Sequence, residues 1–118
     1  MSGPRMDRER WAKLTIFEQM GNIGSEVGRA INARRSGNAE RLKGAINRAL
    51  DLFSATVEVL LKDKNQAHRA KEVLRARDLF LALFYDDRFD EADKIEDYFM
   101  QFAIVARKQA MKAYADIR

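Results

Sequence analysis

The sequence predicts an all-α protein that folds as an antiparallel up-down-up-down four-helix bundle. Apolar residues recur at helical spacing along nearly the whole chain, and no segment shows the alternation of a β-strand. The breaks between the helical stretches are short, which favours antiparallel neighbours. At 118 residues, 47% of them hydrophobic, the chain is long enough for one core. We expect a tail over residues 1–14 and a single domain over 15–118.

The first long helix is predicted to begin at a capping box formed by Thr15 and Glu18. It should end at the sequence RRSGN, residues 34–38. Trp11, in the preceding tail, is expected to fold onto one end of the bundle. The predicted core positions of this helix are Ile16, Met20, Ile23, Val27, Ala30 and Ile31.

The second and third helices are predicted to begin after Asn38 and Asn65, both suited to the N-cap position. The sequence KDKN at 62–65 separates them. The predicted core positions of the second helix are Leu42, Ile46, Ala49, Leu50, Phe53, Val57, Leu60 and Leu61, and those of the third are Ala70, Val73, Leu74, Phe80, Leu81 and Phe84.

The fourth helix should follow a turn at 85–90, since Asp90, Glu91 and Asp93 suit the positive end of a helix. Its predicted core stripe extends to the end of the sequence. The stripe consists of Ala92, Ile95, Phe99, Phe102, Ala103, Ala106, Ala110, Tyr114 and Ile117.

Three glycines lie inside the first predicted helix, where each costs about 1 kcal/mol relative to alanine. On a helical wheel Gly21, Gly24 and Gly28 fall together, beside the core stripe. They do not form a phosphate-binding loop, because no strand precedes them and their spacing differs from the known fingerprints. We therefore predict a close helix–helix contact over a groove without side chains. The alternative is a ligand or partner backbone that enters this groove.

Four blocks of sequence carry a family resemblance: EQMGNIGSEVGRAIN at 18–32, RALDLF at 48–53, LRARDLF at 74–80 and YFMQFAIVARK at 98–108. They are similar to those of a family of small prokaryotic helical-bundle proteins. The resemblance covers most of residues 11–108 and implies a bundle, but it implies no activity. This chain has Ala33 where family members often carry Trp, and DDRFD where they carry a Gly-Asp-Asn type of turn. More loosely, the chain resembles ribosome-associated and retroelement-accessory four-helix proteins, some of which bind nucleic acid.

The chain offers few groups for catalysis, and we predict no catalytic residue, metal site or cofactor. It has no cysteine, which excludes thiol chemistry and fits a cytoplasmic location. His68 is the single histidine, and Asn65 stands three residues before it, so the Glu-x-x-His pairs of di-metal bundles are missing. The acidic residues between Asp86 and Asp97 match no calcium loop. We assign them to the positive end of the following helix and to solubility, and the alternative is that they hold a hard cation.

One charged residue interrupts an apolar stripe. Arg77 falls between Leu74 and Phe80, midway along the third helix. A buried guanidinium requires a carboxylate partner. Since Glu26 flanks the stripe of the first helix at a similar height, we predict a buried Glu26–Arg77 ion pair. An interior anion site is the alternative.

Two helices carry more apolar surface than one core requires. Ala45, Leu52 and Val59 lie off the predicted core direction of the second helix, and Met100, Ile104 and Met111 form a line on the fourth. Aligned exposed apolar residues suggest an interface. They predict a homo-oligomer or a protein partner, unless the tail or a wide core covers them.

The net charge of +4 is mild, so its distribution matters more than its total. In the predicted bundle one end collects many cations, and those we assign to nucleic-acid binding are Arg69, Lys71, Arg107, Lys108 and Lys112. This end predicts a non-enzymatic, oligomeric accessory protein that binds RNA or DNA weakly and without strong sequence preference. The alternative is a protein–protein adaptor or antitoxin-like partner. No apolar run is long enough to span a membrane.

Overall fold

The computed structural model describes residues 6–117, and this part of the chain is all-helical, as predicted. It contains five α-helices rather than four, because a short helix forms inside the predicted tail. Residues 1–5 of that tail, and Arg118, lie outside the described part. The helices are α1 (Arg8–Ala12), α2 (Ile16–Arg35), α3 (Ala39–Leu61), α4 (Ala67–Tyr85) and α5 (Ala92–Ile117), with a 3₁₀ turn at Phe89–Glu91 before α5.

A buried hydrogen-bond network attaches α1 to the helices behind it. Trp11 is buried, and its indole Nε1 donates to Oγ1 of the fully buried Thr56 on α3 at 2.9 Å. Gln19 of α2 is also buried, and its Nε2 donates to the carbonyl oxygens of Trp11 and Leu14, both at 3.1 Å. The prediction that Trp11 folds onto the body is confirmed.

Two of the three predicted N-caps are confirmed by their side-chain hydrogen bonds. Thr15 and Glu18 form the reciprocal capping box at the start of α2. Asn38 caps α3 by accepting from the backbone N–H of Arg41 at 3.0 Å. Each bond satisfies an N–H group that the first turn of a helix leaves without an intrahelical partner.

The predicted N-cap of α4 is wrong. Gln66, not Asn65, occupies the N-cap position, and its side chain makes no capping hydrogen bond. The backbone N–H of Asn65 donates instead to the carboxylate of Asp63 at 2.9 Å, so Asn65 belongs to the preceding turn.

The core lies where α2 meets α3 and α5, and where α3 meets α4. Three phenylalanines from different helices form its centre: Phe53 lies 6.0 Å, centroid to centroid, from both Phe80 and Phe99. The predicted core stripe of α2 is confirmed except for Ile16, which is half-buried, and it also contains Gln19. Leu61, predicted to be in the core, is exposed.

The contacts between α2 and α5 run in opposite chain directions. Gly24 faces Phe99, Gly21 faces Ala103, and Phe17 lies beside Phe102 near the start of α2. α5 has 26 residues against 20 in α2, and from Arg107 to Ile117 every residue is exposed. The last eleven residues of α5 therefore project beyond the body. The prediction that Ala110, Tyr114 and Ile117 lie in the core is wrong for this reason.

Candidate functional site

The projecting part of α5 carries three cations and, within the described residues, a single acid, Asp116. Arg107, Lys108 and Lys112 are exposed, and no Asp or Glu occurs between Tyr98 and Ala115. None of the three forms a salt bridge with any residue in the described range 6–117. Their positive charge is thus directed to solvent rather than neutralised by the fold.

Arg69 and Lys71 lie near the start of α4, where positive charge opposes the helix dipole. Arg69 lines a shallow groove of about 220 Å³ together with Ile16 and Phe102. The groove connects the start of α4 with α5 at Phe102, which lies five residues before Arg107. Lys71 is exposed and, two positions after Arg69, points to another side of α4. The structure thus brings Arg69 close to α5 but does not bring Lys71 into the same groove.

The same groove contains a tyrosine–carboxylate pair. The hydroxyl of Tyr98 on α5 donates to Glu72 Oε1 on α4 at 3.3 Å. Burial, together with the negative charge and hydrogen bond of Glu72, raises the pKa of Tyr98 to about 12. Tyr98 also packs edge-on against Phe102, 5.3 Å between ring centroids. The pair therefore links α4 to α5 close to Arg69.

The predicted Glu26–Arg77 pair does not form. The side chain of Glu26 is 12% exposed and bridges two arginines: Oε1 accepts from Arg29 at 2.8 Å and Oε2 from Arg48 of α3 at 3.1 Å. Arg77 instead pairs with its neighbour Asp78 at 3.2 Å, and its side chain is 37% exposed. Arg77 is therefore not a fully buried charge, although its Nε is buried without a hydrogen-bond partner among the described residues.

The glycine prediction is confirmed at two positions and wrong at the third. A Cβ at Gly24 would lie 2.7 Å from the Cβ of Phe99, and one at Gly21 would lie 3.3 Å from the Cα of Ala103. At Gly28 an added Cβ would meet nothing within 4 Å. An open groove of about 320 Å³ follows this glycine face of α2 and is bordered on α5 by Glu96 and Met100.

The predicted line of apolar residues on α5 is exposed. Met100, Ile104 and Met111 are 58%, 47% and 65% accessible to solvent. The corresponding prediction for α3 is wrong at Ala45, which is buried, while Leu52 and Val59 are half-buried. Of the two predicted stripes, the one on α5 is therefore the exposed one.

Sequence reasoning missed a wide groove between α2 and α3. The groove has a volume of about 1020 Å³, and its lining includes Arg29, Arg41, Gly44 and Arg48. Ala33 also lines it. Part of the ion-pair network beside this groove could have been predicted from the sequence, because Glu26 and Arg29 are three residues apart on one helix.

Two acidic residues at the start of α5 form ion pairs with α2. Arg35 bonds the carboxylates of Asp93 at 3.0 Å and Glu96 at 3.4 Å. Within residues 6–117 no three His, Asp or Glu side chains are grouped so as to hold a metal ion. His68 is exposed on the first turn of α4.

Across the same range no helix has the length and apolarity to cross a membrane. No family model, curated protein or solved structure matches the chain.

Proposed function

We propose that this protein is a non-enzymatic, cytoplasmic accessory protein that binds RNA or DNA weakly and with little sequence preference. The single observation behind the proposal is the group of unpaired, exposed cations Arg107, Lys108 and Lys112 on a helix that projects from the body. Such cations displace counterions from the phosphate backbone, which gives affinity without reading sequence. Arg69, in the groove beside Phe102, and Lys71 extend the positive surface to α4.

We further propose that the four long helices form the antiparallel up-down-up-down bundle expected from the sequence. Support comes from the opposed contacts of α2 with α5 and from the Arg48–Glu26 and Tyr98–Glu72 bonds between neighbouring helices. In this arrangement the start of α4 and the projecting end of α5 share one end of the molecule.

The test is a salt titration of binding to single-stranded RNA and to duplex DNA, with Arg69, Lys71, Lys108 and Lys112 all changed to Glu. For about four phosphate contacts, the affinity of the parent protein for DNA should fall roughly 100-fold between about 50 and 200 mM salt. The variant should lose both the binding and most of this salt dependence.

The matched control changes Arg41, Lys43, Arg88 and Lys94 to Glu. These four residues are exposed and form no salt bridge in the described part of the chain. The control has the same net charge as the test variant, so it should bind more weakly than the parent but more tightly than the test variant. Equal losses in the two variants, or no binding by the parent at low salt, would refute the proposed interface.

The second candidate function is that of a protein–protein adaptor or antitoxin-like partner. It is favoured by the exposed side chains of Met100, Ile104 and Met111 on one face of α5. Exposed apolar residues in a line mark interaction sites more often than isolated ones do. Native mass spectrometry of the protein purified from its own host, with Ile104→Glu as the comparison, would reveal a partner that depends on this face.

A further inference from the structure

Six residues of α5 form an exposed stripe with the spacing of a coiled coil. The gaps between them alternate as three, four, three, four and three residues, which places them along one seam of the helix. Every one of them is exposed. We call this set the α5 stripe: Asp97, Met100, Ile104, Arg107, Met111 and Tyr114.

We propose that the α5 stripe binds a second copy of this chain, with the two α5 helices packed side by side and antiparallel. The two-fold axis passes between Met100 and Ile104. Met100 of each copy then faces Ile104 of the other, and Asp97 faces Arg107. This is the layer pattern of an antiparallel coiled coil, in which both contacts occur twice because the interface is symmetric.

Charge complementarity selects the second copy as the partner and sets its direction. Asp97 and Arg107 are ten residues apart, about 15 Å along one helix, so they cannot pair within a chain. Neither forms a salt bridge with another described residue. A parallel pairing would oppose Asp97 to Asp97 and Arg107 to Arg107. Only the antiparallel pairing matches each charge with its opposite on both sides.

The apolar part of the α5 stripe provides the area for this contact. Met100 and Ile104, which face each other across the axis, are 58% and 47% exposed, whereas Met111 and Tyr114, 65% and 68% exposed, lie farther from the axis and add to the apolar contact only at its edge. One helix pair is a small interface, so we expect a dissociation constant in roughly the micromolar range. Lys94 of one copy approaches Lys108 of the other at the outer edge, where solvent and salt screen the like charges.

The pairing goes beyond the proposed nucleic-acid function and does not rest on it. It specifies a second copy of the chain as the partner that covers the apolar residues of α5, whereas the adaptor function does not specify a partner. Lys108 and Lys112 lie beside the α5 stripe rather than in it, so they stay available to phosphates in the dimer. Self-association is measured on the purified chain without nucleic acid, which separates the two proposals.

The experiment is sedimentation equilibrium over a range of protein concentrations, with a charge swap as the variant set. Asp97→Arg and Arg107→Asp each create two like-charge contacts per dimer and should weaken self-association at least about tenfold. The double variant Asp97→Arg/Arg107→Asp restores opposite charges and should return to within about threefold of the parent affinity. Because the two residues cannot meet within one chain, this recovery reports contact between copies.

Asp51→Arg is the matched control, since Asp51 is exposed on α3 and forms no salt bridge within the described range. It should leave self-association unchanged, and circular dichroism verifies that every variant is folded. A parent protein that stays monomeric at the highest concentration would overturn the pairing. So would a double variant as weak as the single ones, or an assembly that none of the swaps affects.

Discussion

The backbone of Gly24 and the Cβ of Phe99 meet with no room for a side chain between them. A Cβ added at Gly24 would lie 2.7 Å from that atom, well inside the 3.5–4.0 Å at which carbon atoms attract each other. The atom it meets is the Cβ of the buried Phe99, whose position is fixed by the backbone of α5 and does not change when the ring rotates. This contact fixes the distance between α2 and α5 and therefore the position of the projecting helix.

Gly24→Ala should lower the free energy of unfolding by about 1–2 kcal/mol. Overpacking costs about 1–3 kcal/mol, and the better helix propensity of alanine offsets up to about 1 kcal/mol of it. Gly28→Ala is the matched control on the same helix, because its added Cβ would meet nothing within 4 Å. The control should raise stability by up to about 1 kcal/mol. Urea unfolding followed by circular dichroism measures both, and equal effects would show that the two positions are packed alike.

A double-mutant cycle on Glu26 should find coupling to Arg48 and none to Arg77. The Glu26–Arg48 bond joins α2 to α3, but Arg48 is 57% exposed, so we expect a coupling energy of about 0.5–1 kcal/mol. Glu26→Gln, Arg48→Gln and Arg77→Gln, singly and in pairs, give both cycles by urea unfolding. A larger coupling for the Glu26–Arg77 pair would revive the buried ion pair expected from the sequence.

Local features were predictable because their physics is contained in a few neighbouring residues. Thr15 and Glu18, or Asn38 and the amides after it, form their caps whatever the rest of the chain does. The core stripe of α2 follows in the same way from the helical period alone.

Contacts between helices were less predictable, since they depend on how far each helix is rotated and how long it is relative to its partner. Arg77 bonds its sequence neighbour Asp78, while Glu26 bonds Arg29 and Arg48. The burial of Gln19 was not predicted, because a polar amide side chain usually lies at the surface. In the structure its Nε2 donates to two backbone carbonyl oxygens, which makes burial possible. The apolar residues near the end of α5 recur at helical spacing, so the sequence predicted them to be in the core. They are exposed because α2 is too short to cover them.

Thr56→Val should destabilise the attachment of α1 by about 1–3 kcal/mol. The substitution keeps the shape of the side chain but removes the oxygen that accepts the indole N–H of Trp11 at 2.9 Å, leaving a buried donor without a partner. Thr56→Ser retains the acceptor and should cost less. Tryptophan fluorescence during urea unfolding follows the environment of Trp11, the single tryptophan of the chain. Equal losses for valine and serine would mean that the methyl group, not the hydrogen bond, matters at this position.

Stability should fall in alkaline solution as the pH passes from about 10 to about 12, and Tyr98 should cause part of this fall. Burial raises the pKa of Tyr98 from 10.0 to about 12, assisted by the carboxylate of Glu72. Between these values the unfolded chain has lost the phenolic proton while the folded chain retains it, so the rise in pH favours unfolding. Tyr98→Phe has no proton to lose and should show a shallower decline. An identical pH dependence for parent and variant in urea unfolding would exclude this role of Tyr98.

Truncation after Gln109 should leave the free energy of unfolding within about 0.5 kcal/mol of the parent value. Every described residue that the truncation removes is exposed, including Met111, Tyr114 and Ile117, so little apolar area is lost from the core. A helical segment of this length without tertiary contacts also has little stability of its own. Urea unfolding at low protein concentration, where self-association is weak, isolates the contribution within one chain. The control is the Phe102→Ala variant, which removes a half-buried ring packed against Phe17 and Tyr98 and should cost several times more. A loss of more than about 2 kcal/mol on truncation would mean that the end of α5 packs against the body, and that its cations and apolar residues serve the fold rather than a partner.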